Sequence, residues 1–318
     1  MDMGNCGTSF AALALLVCSV AVAGCSNATS ESLPKNSGSL AAQPSPSLQY
    51  IGQWGVKGND PGQLSQPSGI AADALGDVFL ADSGSAFVSK FAFEGKPLLS
   101  FQEDGMNHPQ AITVDRGGAI YVGDPVRVSI FIFLPNGDRF REVHLRTRPN
   151  VENSLSVAVG DDGLIHILDP AAGKIFTYTI RMRLVQTSEP RETIPGKGRF
   201  GPIVKGPDDF LYLGTPSGGI MKLTHDGHLI TELVATNGAQ WNPNSGFAVW
   251  SNAIFVMDAN GLTVHIVGTD GAPKLDVDLA PQLGQGNRRA PALAVSPRPE
   301  LLVLDSPESR VLRYRISF

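Results

Sequence analysis

Val78-Phe79-Leu80-Ala81-Asp82 is the first of six similar segments in this chain. Each copy is a run of aliphatic, β-branched or aromatic residues, and five of the six end in Asp. The other copies occupy residues 120–124, 165–169, 211–215, 254–258 and 301–305. They begin 42 to 47 residues apart, a period that is typical of radial or stacked β architectures. The sequence therefore predicts a repeat protein built from β-strands.

Each repeat carries the signals for four antiparallel strands. A short apolar strand comes first, as in 69–73 and 111–115, and a Gly- or Asp-rich turn connects it to the segment described above. An alternating third strand and a second turn lead to the fourth strand. Four strands repeated six times predict an all-β, six-bladed β-propeller. The last repeat stops after its third strand, so we expect the unassigned strand at 48–54 to complete the last blade and close the ring.

The N-terminus has the character of an export signal. Residues 10–24 form an apolar run that is too short for a mature transmembrane helix and ends in small residues. Val22-Ala23-Gly24-Cys25 resembles the lipobox of bacterial lipoproteins. The resemblance implies that Cys25 receives a lipid and becomes the mature N-terminus. The alternative is an ordinary signal peptide that contains a Cys. Both kinds of signal peptide usually begin with positive charge, whereas the first residues here include Asp2 and no Lys or Arg.

These signals divide the chain into three parts. Residues 1–24 are expected to be a lipoprotein signal peptide, 25–47 a flexible Ser/Pro-rich tether and 48–318 the propeller. All three cysteines lie in the first 25 residues, so the propeller has no disulfide. We expect a monomer in the cell envelope, held to the membrane by its N-terminal lipid, and in the outer membrane if the host is Gram-negative.

The repeats resemble a known propeller family. Residues 62–84 are similar to an NHL repeat, and 108–115 and 305–311 keep parts of the same pattern. The resemblance, which extends over about 270 residues, implies an NHL- or TolB-like propeller. It is specific for the fold and leaves the function open, because propellers host lyases, lactonases and binding modules alike.

One face of the predicted disc collects the polar candidates. First strands begin and second strands end on this face, which we call the loop face because the loops between blades lie there. The candidate binding rim consists of Asp82, Asp124, Asp169, Asp258, Asp305, His108, Arg199 and Asn242. Such a ring could bind a ligand or Ca²⁺. The structural interpretation, which the residue types favour, is that each Asp accepts backbone N–H groups or pairs with Arg127 or Arg310.

The histidines argue against an axial zinc site. Similarity to the peptidyl-amidoglycolate lyase would place zinc-binding His just before the first strands, where this chain has Ser68, Gln110, Leu155, Gly201, Ser245 and Pro291. A catalytic zinc site needs several convergent ligands, and this register does not supply them. Glu152, Asn153 and Asn242 are possible fragments of a lactonase-type Ca²⁺ site. Residues 112–122 resemble a sequence segment of streptogramin lyases, and this segment belongs to the blade scaffold.

The sequence-based hypothesis is therefore a lipid-anchored propeller that binds a ligand or protein on its loop face, without a cofactor and without catalysis. The alternative is a metal-dependent lyase or lactonase with its site at the axial mouth. A basic cluster at Arg139, Arg141, His144, Arg146, Arg148, Arg181 and Arg183 could suggest nucleic acid. We interpret it as protection of outer strands, because the net charge is −5 and the chain has an export signal.

Overall fold

The computed structural model describes residues 46–145, 155–170, 172–190, 199–236, 238–284 and 292–317. Over these ranges the strands form six separate four-stranded antiparallel sheets. The inner strands of neighbouring sheets contact one another around a ring, and the first sheet contacts the last. The predicted all-β, six-bladed propeller is confirmed.

The first half of the ring follows the predicted repeats. The first strand of the described residues is β1 (Ser47–Trp54). Blade 1 contains β2 (Pro67–Ala72), β3 (Val78–Asp82), β4 (Val88–Phe91) and β5 (Pro97–Phe101). Blade 2 contains β6 (Ala111–Val114), β7 (Ile120–Asp124), β8 (Ser129–Phe133) and β9 (Arg139–His144). Blade 3 contains β10 (Ser156–Val159), β11 (Leu164–Asp169), β12 (Lys174–Thr179) and β13 (Leu184–Ser188).

The second half repeats the same order. Blade 4 contains β14 (Ile203–Lys205), β15 (Leu211–Gly214), β16 (Ile220–Leu223) and β17 (Leu229–Leu233). Blade 5 contains β18 (Phe247–Trp250), β19 (Ala253–Met257), β20 (Thr263–Gly268) and β21 (Pro273–Asp278). Blade 6 contains β22 (Ala292–Ser296), β23 (Glu300–Asp305) and β24 (Arg310–Ser317). A 3₁₀ turn at Pro243–Ser245 and the single-turn helix α1 (Ala280–Leu283) precede the inner strands of blades 5 and 6.

Strand β1 completes blade 6, as expected from the sequence. It pairs antiparallel with β24 from Ser47 opposite Ser317 to Trp54 opposite Val311, with a bulge between Tyr50 and Gly52. The rings of Tyr50 and Tyr314 meet edge to face at 5.5 Å. The first and last strands of the propeller thus share one sheet, and no open edge is left at the seam.

The core lies between the blades. Second strands are buried along their whole length, and their side chains point alternately toward the blade before and the blade after. Phe79 of blade 1, for example, packs in one cluster with Val122 and Phe131 of blade 2. Because each blade shares a cluster with its neighbours, the burial that stabilises the fold is distributed around the ring.

The strand directions define two faces of the disc. Inner strands run from the loop face to the opposite face, which we call the hairpin face because the first and the last turn of each blade lie there. Strand β1 is an outer strand, so the chain enters the propeller at Ser47 on the hairpin face. Within the described ranges, no helix has the length and apolar character needed to cross a bilayer. The predicted signal peptide, Cys25 and all but the last two residues of the predicted tether lie outside those ranges.

Candidate functional site

Asp82 holds the loop between blades 6 and 1. Its side chain is buried at the end of β3. One carboxylate oxygen accepts the N–H of Ser65 at 2.6 Å, and the other accepts the N–H of Gln66 and of Gly84, both at 2.9 Å. The carboxylate therefore joins the loop before β2 to the turn after β3, and both of its oxygens have protein partners.

Asp124 repeats the arrangement in blade 2. Its Oδ2 accepts the N–H groups of Asn107 and His108 at 2.7 and 2.9 Å, and its Oδ1 accepts those of Val126 and Arg127 at 2.9 and 3.0 Å. The side chain is fully buried. His108 thus meets this carboxylate through its backbone, and its imidazole plays no part in the contact.

The remaining blades use variations on the same contact. Asp169 accepts the N–H of Ala172 at 3.0 Å, and Asp258 accepts that of Leu262 at 2.8 Å. Asp305 forms an ion pair with Arg310, 2.8 Å from its Nε, as the structural interpretation allowed. The Arg127 guanidinium instead lies 3.9 Å from Glu142.

Thr215 stands where the other blades have Asp. Its Oγ1 accepts the N–H of Gly219 at 2.9 Å, which replaces one carboxylate contact with a hydroxyl contact. The side chain is fully buried, as Asp124 is in blade 2. In blades 1 to 5 this position therefore accepts N–H groups of the turn, and a hydroxyl is sufficient for it.

A cavity of about 690 Å³ follows the propeller axis and is lined by all six inner strands. Its polar residues are concentrated where the inner strands begin, at the loop face. At this end they are Ser68, Gln110, Ser156, Arg199, Asn244 and Ser245, whereas Thr113 and Lys205 lie farther along the strands. This volume is in the range of cavities that hold small organic ligands. The propeller thus combines an open axial space with a polar end.

Lys205 lies at the other end of the cavity, where β14 finishes. Its Nζ lies 2.7 Å from Asp209 Oδ1 and 3.3 Å from Asp162 Oδ2, and its side chain is largely buried. Partial burial tends to raise the pKa of Asp162, but the N–H of Leu164 and the charge of Lys205 outweigh it, so the pKa of this carboxyl is lowered. The four-residue network ties blade 4 to blade 3 beneath the cavity.

Some of the polar groups at the loop-face end already have structural tasks. Ser68 donates its hydroxyl to the carbonyl of Pro109 at 2.8 Å, and Ser156 Oγ accepts the N–H of Ile203 at 3.0 Å. Each contact joins one blade to the next. Asn242 donates its backbone N–H to Met257, which fixes the loop that carries Asn244.

The sequence placed only part of this site. Ser68, Gln110, Gly201 and Ser245 line the cavity at the axial positions that the register predicted, whereas Arg199, expected on the rim, also reaches the axis. Sequence reasoning missed Asn244 and Lys205. The sequence did contain a signal for Lys205, which is a charged residue at a position that is apolar in the other first strands. The equivalent residues there are Ala72, Val114, Val159, Val249 and Val295.

The donor set at the axis does not fit zinc or calcium. Among the described lining residues there are hydroxyls, amides and two cations, but no carboxylate, imidazole or thiol. The described part of the chain also contains no cluster of three or more His, Cys, Asp or Glu side chains with metal-binding geometry. Glu152 and Asn153, named above as lactonase-type fragments, lie outside the described ranges.

None of the described histidines lines the cavity, and three of them lie on strands within blades. His166 is buried in β11, where its Nδ1 lies 3.1 Å from Thr177 Oγ1. Burial, and to a smaller extent the charge of Lys205, lowers the pKa of His166 to about 4. His265 lies 2.8 Å from Asp276 across β20 and β21, and His144 lies 2.7 Å from Ser129 Oγ. Each imidazole has a partner on the neighbouring strand, as expected of histidines within blades.

Fold and cavity together define a six-bladed β-propeller with a polar axial site, and solved structures of this class are similar to the chain. A streptogramin B lyase superposes with a TM-score of 0.60 at 15% identity, covering 86% of this chain and 98% of the lyase. A catalytically inactive His-to-Ala variant of virginiamycin B lyase from Staphylococcus aureus, with quinupristin, gives 0.56 at 18% identity, covering 85% and 88%. A protein of unknown function from Bacteroides thetaiotaomicron gives 0.62 at 12% identity, covering 86% and 76%.

These likenesses establish the propeller fold. No protein-family model matches the chain. No curated protein sequence matches it either.

Proposed function

We propose that this chain is an exported, lipid-anchored, NHL-type propeller that binds a ligand or a protein segment at the loop-face end of its axial cavity, without catalysis. The observation that carries the proposal is the concentration of Gln110, Arg199 and Asn244 at one end of a 690 Å³ space. The Asp side chains of the rim contribute indirectly, because their hydrogen bonds fix the loops that surround this site.

The lining favours a neutral or anionic ligand. Arg199 brings positive charge to the loop-face end of the cavity, whereas Lys205 at the other end is paired with Asp162 and Asp209. The described lining contains no carboxylate that would attract a cation. Amide and hydroxyl groups can donate to carboxylate, phosphate or sugar oxygens. A ligand with oxygen acceptors at one end would match this chemistry.

A thermal-shift screen of small carboxylates, phosphates and saccharides tests the binding proposal. A ligand that binds only the folded chain raises its Tm, and the effect grows with concentration. The shift should disappear in the double variant Arg199→Gln, Asn244→Ala and persist in Arg315→Gln, whose residue lies exposed on β24. Ligands that stabilise the wild type and the double variant equally would place binding elsewhere and overturn the proposal.

The alternative proposal is a metal-dependent lyase or lactonase, which the structural similarity to streptogramin B lyase suggests. Metal analysis of residues 26–318 after exhaustive dialysis separates the two proposals. Near-stoichiometric zinc, or calcium whose removal leaves the fold intact, would support the enzyme and contradict the non-catalytic proposal. A folded, metal-free protein would support binding without a metal.

Lipid attachment is tested separately from binding. In a bacterial host, a metabolically supplied fatty acid should label the full chain, and the Cys25→Ser variant should remain unlabelled. The two other cysteines, Cys6 and Cys18, precede the proposed cleavage site and serve as internal controls. Labelling that survives Cys25→Ser, or that never occurs, would contradict the proposed anchor.

A further inference from the structure

A second concave site lies on the hairpin face, far along the strands from the polar end of the axial cavity. We call it the blade 2/3 notch. It has a volume of about 160 Å³. Its walls are Ala119, Tyr121, Ile132, Phe133, Leu134, Phe140 and Ile180. All but Ile180 belong to blade 2, and Ile180 comes from the turn between β12 and β13 of blade 3.

The rim of the notch exposes large apolar side chains. Phe140 is 55% exposed, Ile180 57% and Leu134 41%, although they lie next to buried Ile132 and Phe133. Three adjacent exposed apolar side chains around a hollow are typical of a surface that binds a partner.

Three arginines beside the notch have no acidic partner among the described residues. Arg141 donates to the carbonyl of Arg181 at 3.3 Å and lies 5.8 Å from the centre of the Phe140 ring. In the described part of the chain, the guanidinium groups of Arg141, Arg181 and Arg183 make no ion pair. The nearby arginines behave differently, as Arg139 pairs with Glu103 at 2.7 Å and Arg116 with Asp161 at 3.4 Å.

From this combination we infer that the blade 2/3 notch binds an acidic peptide segment of a partner protein. One bulky apolar side chain of the segment fills the hollow, and flanking Asp or Glu side chains pair with Arg141, Arg181 and Arg183. The volume suits a single Leu, Ile or Phe side chain. Guanidinium groups form strong, directional hydrogen bonds to carboxylates, so the flanking residues define the specificity.

An anionic bilayer fits this surface less well. A flat membrane would also meet the other turns of the hairpin face, where Asp161 and Asp209 are about 70% exposed on their side chains. Each of these carboxylates pairs with a cation, Arg116 or Lys205, so these turns offer little net positive charge to anionic headgroups. A short peptide contacts only the notch and its arginines. The concave shape likewise accepts one side chain rather than a sheet of lipid tails.

Peptide selection on the immobilised propeller, residues 26–318, tests the inference. A random peptide library is selected on the wild type and, in parallel, on the variant Arg141→Gln, Arg181→Gln, Arg183→Gln. A matched control, Lys57→Gln, Lys96→Gln, Arg315→Gln, removes the same charge at exposed positions on other blades. Circular dichroism confirms that all three proteins are folded before selection.

We expect peptides with one large apolar residue between acidic residues to be enriched on the wild type and on the matched control. Their affinity, measured by fluorescence anisotropy, should fall at least tenfold in the arginine variant and in Phe140→Ser, Ile180→Ser. No enrichment on the wild type, or equal binding to the arginine variant, overturns the inference. Binding to phosphatidylglycerol vesicles that depends on the same arginines, without peptide enrichment, overturns it in favour of a membrane.

Discussion

Asp124 shows at the residue scale why the repeated Asp recurs. Its buried carboxylate accepts four backbone N–H groups, two from the loop before β6 and two from the turn after β7. In Asp124→Asn an NH₂ group replaces one oxygen and faces N–H donors. We expect a loss of about 3 kcal/mol in the free energy of unfolding, measured in urea, because charged acceptors are lost in a buried site.

Asp138→Asn is the control for this loss, since Asp138 is exposed and hydrogen-bonds only within its hairpin. The free energy of unfolding of Asp138→Asn should differ from that of the wild type by less than about 0.5 kcal/mol, as for most surface substitutions. If Asp124→Asn cost as little as the control, the carboxylate would not be a structural anchor, and its assignment to a ligand would gain weight.

His166 predicts a dependence of stability on pH. Burial lowers its pKa to about 4, and its Nε2 has no hydrogen-bond partner in the described part of the chain. Since the folded pKa lies below the unfolded value of about 6.5, only the unfolded chain gains a proton between these values. The contribution of His166 to the free energy of unfolding is therefore fully present above pH 6.5 and is lost as the pH falls toward 4. Between pH 8 and pH 5 we expect a loss of about 2 kcal/mol from this residue.

The measurement is urea unfolding at both pH values for the wild type, His166→Gln and His228→Gln. The His166→Gln variant should lack this loss of about 2 kcal/mol. The His228→Gln variant should behave as the wild type, because His228 lies exposed in a turn. Parallel pH dependence of the wild type and His166→Gln would show that the imidazole is protonated in the folded state as readily as in the unfolded state.

At the scale of the element, β1 is the strand on which closure depends. Removing it uncovers the edge of β24 and the aromatic contacts of Tyr314 and Phe91 with Tyr50 and Trp54. Loss of several partly buried large side chains costs on the order of 5 kcal/mol. A chain that starts at Val56 should therefore melt at least 10 °C lower than one that starts at Gln43, and should self-associate through β24. Size-exclusion chromatography of the two chains at equal concentration checks the second effect, and two equally stable monomers would contradict both expectations.

The repeats made the elements predictable, and the limits of prediction are also visible at this scale. Alternation and turn residues placed second strands and the closing strand, because those signals are local. The blade 2/3 notch could not be predicted, since it depends on contact between hairpins some 40 residues apart. The axial site was predicted in part. Its positions follow from the register of the first strands, but the reach of the long Arg199 side chain toward the axis does not.

At the scale of the whole molecule, the ring should unfold as one unit. Every blade packs against two neighbours, and the seam is closed by β1, whose last residue, Trp54, has its ring 4.8 Å from that of Phe91 of blade 1. An open array of repeats has end blades that can fray, whereas a closed ring has none.

Variants that keep a single Trp test this prediction, because Trp54 reports on the seam and Trp250 on blade 5. Urea midpoints from the two fluorophores should coincide in the intact ring. With Tyr314→Ala, which weakens the seam, the Trp54 transition should move to lower urea and separate from that of Trp250. Coincident midpoints in that variant would mean that the seam is not the weakest contact of the ring, and separate midpoints in the intact protein would mean that closure does not make its unfolding cooperative.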